Sequence, residues 1–237
     1  MTRTDGSDGV DRGISDVVAF SLSFGLIIAS VAVVYSGGYT AIEGVYDSQR
    51  SASAQSGIEI VDSQIDDLVY HQVPRRSVSM NLRGGTFDVR QSTLEISVDN
   101  RTIRPMGVSM TVEGTTTHYA SGAVITNWPA GSAMQREPGF RCASGTGQVK
   151  PLTLVNVRGD TESISGQTTI RMRVSHEETV LRRGNVSVVV GDGPTSSAWR
   201  EYFENSMNGW TKASGTYWCN GTNVLVRESV VNISVRR

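Results

Sequence analysis

A chain of 237 residues with a formal net charge of −1 suits one folded domain plus an appendage, or two small domains. Its near-zero charge gives no electrostatic reason to expect nucleic acid or an anionic membrane surface as a partner. Lysine occurs only at Lys150 and Lys212 and aromatic residues make up 7% of the chain. With abundant Ser, Thr and Gly, that balance suits a β-rich extracytoplasmic domain better than a helical cytosolic enzyme.

Residues 1–13, MTRTDGSDGVDRG, are polar and glycine-rich and read as a disordered leader. The segment that follows carries no charged residue between Asp16 and Glu43. Its greasiest part, Val17–Tyr35, matches the roughly 20 apolar residues that a membrane-spanning helix needs. It exceeds the apolar stretch of about 7–15 residues in an ordinary cleaved secretory signal. Length therefore favours a retained anchor over cleavage after the small residues Ser36–Gly38, and over a buried core helix. Arg3 and Arg12 precede the span and only Arg50 follows closely, which places the N-terminus on the cytoplasmic side.

Beyond the span, Ile58, Val61, Ile65 and Leu68 recur at steps of three and four, one face of a helix. The spacing predicts a long helix over 14–72, with a kink at Gly37–Gly38 and a stop at Pro74. After Pro74 the texture changes. Short alternating runs such as SVSMNL, GTFDVR, STLEISV, MGVSMTV, LTLVNV, TTIRMRV and NVSVVV are broken by Gly, Asp, Asn or Pro. They predict an all-β, sandwich-like domain over 75–237. One stretch departs from that pattern. In TSSAWREYFENSMNGW, Trp199, Tyr202, Phe203 and Met207 fall on one side of a short amphipathic helix behind Ser/Thr caps. The fold class is thus α+β: one long apolar helix, then a β domain with a single short helix.

Chemistry-bearing residues are sparse. Cys142 and Cys219 are the only cysteines, and in an exported domain a disulfide between them is expected. The alternatives are two free core thiols or a Cys142 nucleophile paired with His71, His118 or His176, although no histidine lies in a local catalytic signature. No metal-ligand spacing and no glycine-rich phosphate loop is present, so no catalytic residue, cofactor site or metal site is assigned. Asn100, Asn185, Asn220 and Asn232 each begin an Asn-X-Ser/Thr sequon and are glycosylation candidates.

The N-terminal stretch resembles the class III signal peptide of archaeal type IV pilins and archaellins, through Arg12-Gly13 followed by Ile14-Ser15 and the apolar run. The run FSLSFGLIIASVAVVYSGGYTAIEGVYDSQRSASAQSGIEIV, with YASGAVITNWPAGSAMQREPGFRC and AWREYF, resembles pilin-like envelope proteins of haloarchaea. The resemblance implies that a prepilin peptidase cuts after Gly13 and that the mature chain begins at Ile14. It also implies that the apolar helix passes from membrane lipid into a bundle with other pilin subunits, as a homo- or hetero-polymer. Bacterial pilins carry a glutamate at the fifth mature residue. Val18 stands there in this chain, with Asp16 the nearby acid. Small residues at Ser21, Ser23, Gly25, Ala29, Ser30 and Ala32 permit close helix approach. The expected product is a structural subunit or minor pilin, without catalysis, that displays its β domain at the cell surface for adhesion or assembly. A single-span anchored binding domain that never polymerises is the first alternative, and an envelope thiol enzyme the second.

Overall fold

The computed structural model describes residues 8–71, 73–142, 151–205, 209–219 and 224–236. Within the first helix, the side chains of 8–15, 38–48, 50 and 51 lie outside that description. Helix α1 (Asp8–Tyr70) begins inside the polar leader, so the expected leader–helix boundary at 13/14 is not a boundary of secondary structure. The leader contains no proline, and Gly9 and Gly13 cost helix stability without ending a helix. The glycine pair at Gly37–Gly38 likewise does not interrupt the assignment.

Among the described residues, fifteen strands and one short helix follow. In chain order the strands are β1 (Arg75–Asn81), β2 (Thr86–Gln91), β3 (Leu94–Val98), β4 (Arg101–Ile103), β5 (Met106–Val112), β6 (Thr115–Ala120), β7 (Ala123–Trp128) and β8 (Gly131–Arg136). They continue with β9 (Leu152–Gly159), β10 (Glu162–Ser165), β11 (Thr169–Gly184) and β12 (Val186–Val190). Helix α2 (Ser196–Glu204) precedes β13 (Trp210–Ala213), β14 (Thr216–Cys219) and β15 (Val224–Arg236). Two-residue hairpin turns at Glu113–Gly114 and Ser121–Gly122 have positive φ at both positions, 48° and 75°, then 50° and 89°. Such turns match the right-handed twist of the flanking strands, and glycine takes the second position without a Cβ penalty.

The strands form three sheets, ordered β1-β11-β15-β9, β10-β2-β5-β6-β7-β8 and β13-β14-β12-β3-β4. All pairings are antiparallel except β15 with β9. Two apolar clusters fill the domain. The first joins Ala54, Ile58, Val61, Ile65, Leu68 and Val69 of α1 to residues of the four- and six-stranded sheets, including Phe87, Val108 and Ile170. The second joins the five-stranded sheet to α2, β7 and the start of β9, through residues such as Ile96, Ile125, Leu154 and Val188.

In α2 the expected side of the helix is the buried one. Trp199, Tyr202 and Phe203 are enclosed, while Met207 lies outside the described residues. The cap differs from expectation: Thr195 makes no capping hydrogen bond. Its hydroxyl instead lies 3.1 Å from that of Thr93, and the Ser196 hydroxyl donates to the carbonyls of Gly191 and Gly193.

Candidate functional site

The apolar span dominates the functional reading. Every residue from Asp16 to Gly37 is exposed. Phe20 is 71% exposed and Leu26 73%. This 22-residue stretch has a mean hydropathy of 2.5, long and apolar enough to cross a membrane. Three of its serine hydroxyls bond back to the helix. Ser21 donates to the carbonyl of Val17 at 2.9 Å, Ser30 to that of Ile27 at 2.8 Å and Ser36 to that of Val33 at 3.1 Å. A serine bonded back to its own helix carries no unmet polar demand into hydrocarbon.

Helical spacing divides the span into two faces. Val17, Phe20, Phe24, Ile27, Val31 and Val34 make a bulky side, on which Phe20 and Phe24 stack with centroids 6.1 Å apart. Ser21, Gly25, Ala29 and Ala32 fall together on a small-residue side, and nothing lies within 4 Å of the position of a Cβ at Gly25. The expected processing residues Arg12, Gly13 and Ile14 have helical backbone, and their side chains lie outside the description.

The later turns of α1 are held by charge as well as by packing. Arg136 on β8 bridges the carboxylates of Asp62 and Asp66, two acids one turn apart. Asp62 is 4% exposed. Burial raises its carboxyl from the ordinary 3.8 to about 6, against the opposing pull of Arg136 and with a further push from Asp66 and Glu59. Asp67 adds a bond from Arg76 on β1, with Nε to Oδ2 at 3.2 Å. None of these partners was singled out from the sequence. The acids stand in the helical segment DSQIDDLVY, but Arg136 lies far along the chain on a strand without clear alternation.

The two cysteines are joined, with Cα atoms 5.5 Å apart. Both are buried, among Phe140, Phe203, Trp210 and Tyr217. The Trp210 indole donates to the carbonyl of Phe140 at 2.7 Å, and Phe203 stacks on Tyr217 at 5.1 Å. The aromatic next to Cys219, Trp218, is instead 44% exposed, so the bridge is enclosed by Tyr217 and Trp210. A thiol hydrolase would need a free Cys142, and in this structure both sulfurs are bonded.

The sequons separate by environment. Asn100 and Asn185 are exposed beside strand ends, whereas Asn232 lies within β15, a strand paired on both sides. Its amide donates to Glu177 at 3.0 Å. Asn220 lies outside the described residues. The histidines are dispersed: His71 follows α1, His118 is on β6, and His176 on β11 bonds the hydroxyl of Thr179 at 2.9 Å. Among the described residues no His, Cys, Asp and Glu group has the arrangement to hold a metal ion.

A family model, the family of unknown function DUF7289, matches residues 12–236, and the chain belongs to that family. The matched region takes in both the apolar span and the whole β domain. No curated protein and no solved structure matches the chain.

Proposed function

We propose that this member of the DUF7289 family is an exported, pilin-like structural subunit. A prepilin peptidase removes residues 1–13, the apolar part of α1 is held first in the membrane and then among the helices of neighbouring subunits, and the β domain is displayed outside. The observation that carries this reading is the contrast within α1: a fully exposed apolar span, three of whose serines bond back to its own carbonyls, followed by turns with apolar side chains locked into the core of a β domain. A soluble protein with this span would expose a large continuous apolar surface to water.

Two features support assembly over simple anchoring. The small-residue face at Ser21, Gly25, Ala29 and Ala32 lets a second helix approach closely, and the bulky face supplies side chains to fill the remaining space. Asp16 stands at the head of the span, where a carboxylate can pair with the freed amine of a processed neighbour. On this reading the partners are membrane lipid, the peptidase and other pilin subunits, and the chain performs no catalysis. Asn100 and Asn185 are the sequons best placed for glycans on an exported surface.

The test is the N-terminus of protein recovered from cells. Processing predicts Ile14, and Gly13→Val leaves the leader attached. Sheared surface fibres should contain the processed chain. An intact leader in wild-type cells would leave a plain membrane anchor, and an N-terminus near residue 38 a secreted domain without its span.

A further inference from the structure

One face of the six-stranded sheet packs on α1; the other carries a polar cleft of about 310 Å³ that the reading above does not use. Strand register builds its floor. Asp88 on β2 pairs with Ser109 on β5, which pairs with His118 on β6, so the three side chains stand in one row on one face. In the next row Arg90 is opposite Gly107. The row on the other side is Thr111 opposite Thr116, with hydroxyls 2.9 Å apart. Thr93 and Thr195, joined at 3.1 Å, close the cleft from the loops that lead to β3 and α2.

The lining has a specific chemistry. Asp88 is buried and accepts from Arg90 at 2.7 Å, so carboxylate and guanidinium cancel in charge while each keeps unused hydrogen-bonding positions. His118 Nε2 is buried and lacks a partner. Burial lowers the imidazole to about 4, partly offset by Asp88, so the ring is neutral near neutral pH. Around these stand the hydroxyls of Ser92, Thr93, Ser109, Thr111, Thr116 and Thr195. An anion would meet the carboxylate, a cation would meet the guanidinium, and an apolar group would strand many donors and acceptors. The Tyr119 ring is fully enclosed on the opposite face and offers no stacking plane.

We propose that this cleft binds an uncharged, hydroxyl-rich ligand, the terminal sugar residue of a glycan, held edge-on by hydrogen bonds that Asp88 accepts, Arg90 donates, and Ser109, His118 and the threonine hydroxyls complete. Vicinal hydroxyls both donate and accept, which is what the acceptor pair of a carboxylate, the N–H groups of a guanidinium and a neutral imidazole require together. The inference gives the displayed domain a recognition role, but it rests on the cleft alone and stands whether or not the chain polymerises.

The experiment is saturation-transfer NMR on the full chain in zwitterionic, sugar-free micelles. The probes are the methyl glycosides of glucose, galactose, mannose and N-acetylglucosamine, with inorganic phosphate followed in parallel. At least one glycoside should bind with an affinity near millimolar. Asp88→Asn should weaken it roughly tenfold, the scale of one charge-assisted hydrogen bond. Ser109→Gln, which fills the cleft from its floor, should abolish binding in protein that still unfolds in a single cooperative transition. Asp66→Asn, outside the cleft, should leave binding intact. No transfer from any glycoside to folded protein overturns the proposal. So does binding of phosphate alone, or glycoside binding insensitive to both cleft variants. N-terminal processing at Ile14 is read independently, so either idea can fail alone.

Discussion

Two stretches of α1 share a helical backbone and little else. In Asp16–Gly37 every side chain is exposed, and no charge interrupts the run after Asp16. In Ala54–Val69 the residues Ala54, Ile58, Val61, Ile65, Leu68 and Val69 share one face and are buried, while Glu59, Ile60 and Ser63 on other faces remain exposed. A helix apolar all round needs a partner on every side, which water cannot be; a helix apolar on one face needs only one wall. The first stretch therefore calls for lipid or other helices, and the second has already found its wall in the β domain.

The largest effect should come from placing the same charge in each stretch. Ile65→Asp puts an unpaired carboxylate in a fully buried position, at a cost above about 4 kcal/mol, and should prevent the β domain from folding. Ile27→Asp should leave the domain's melting transition in micelles unchanged and instead weaken membrane insertion, by about 3 kcal/mol for an acid near the middle of a span. Equal losses of domain stability in the two variants would erase the distinction.

A smaller effect is expected at the bridge, which fastens the β domain and not the span. Cys142→Ser should lower the domain's stability by about 2–5 kcal/mol, measured by urea unfolding of the purified, oxidised protein. Non-reducing peptide mapping of the wild type should recover a single linked pair containing both cysteines.

The smallest effect concerns the buried acid of the second stretch. The folded-state pKa of Asp62, about 6, lies above the ordinary 3.8, so protonation favours the folded state. That contribution is fully present below about pH 4 and is lost as pH rises through about 6. Wild-type unfolding midpoints should therefore fall across that window relative to those of Asp62→Asn. Parallel curves would show that the carboxylate is adequately compensated by Arg136.

The sequence made one half of this architecture readable and hid the other half. Local periodicity exposed the apolar span, the buried face at Ile58, Val61, Ile65 and Leu68, the face of α2 at Trp199, Tyr202 and Phe203, and the strands with strong alternation. The strands that escaped were β4, β10, β13 and β14, of three or four residues each, and the longer edge strand β8. Glu162–Ser165 contains a single apolar residue, and Gly131–Arg136 is an edge strand without a fully buried position. The β13–β14 hairpin did carry a signal: Ser214–Gly215, with φ of 50° and 79°, is a two-residue turn legible as a Ser-Gly dipeptide. The polar cleft could not be read, because Asp88, Ser109 and His118 meet only through the register of β2, β5 and β6. The same holds for Arg136 against Asp62 and Asp66, a contact between distant segments that no local pattern encodes.

The placement of β15 sets a timetable for folding. This strand lies between β11 and β9 and is hydrogen-bonded to both, yet it is made after either of them. Until Val224–Arg236 has been synthesised, β9 and β11 have nothing to join them, and the four-stranded sheet that helps enclose Ile58 and Ile65 cannot close. Pairing that must wait for distant segments is slow, and it keeps a growing chain extended. For the exported chain proposed above, that order leaves the four-stranded sheet open until its last strand has been made.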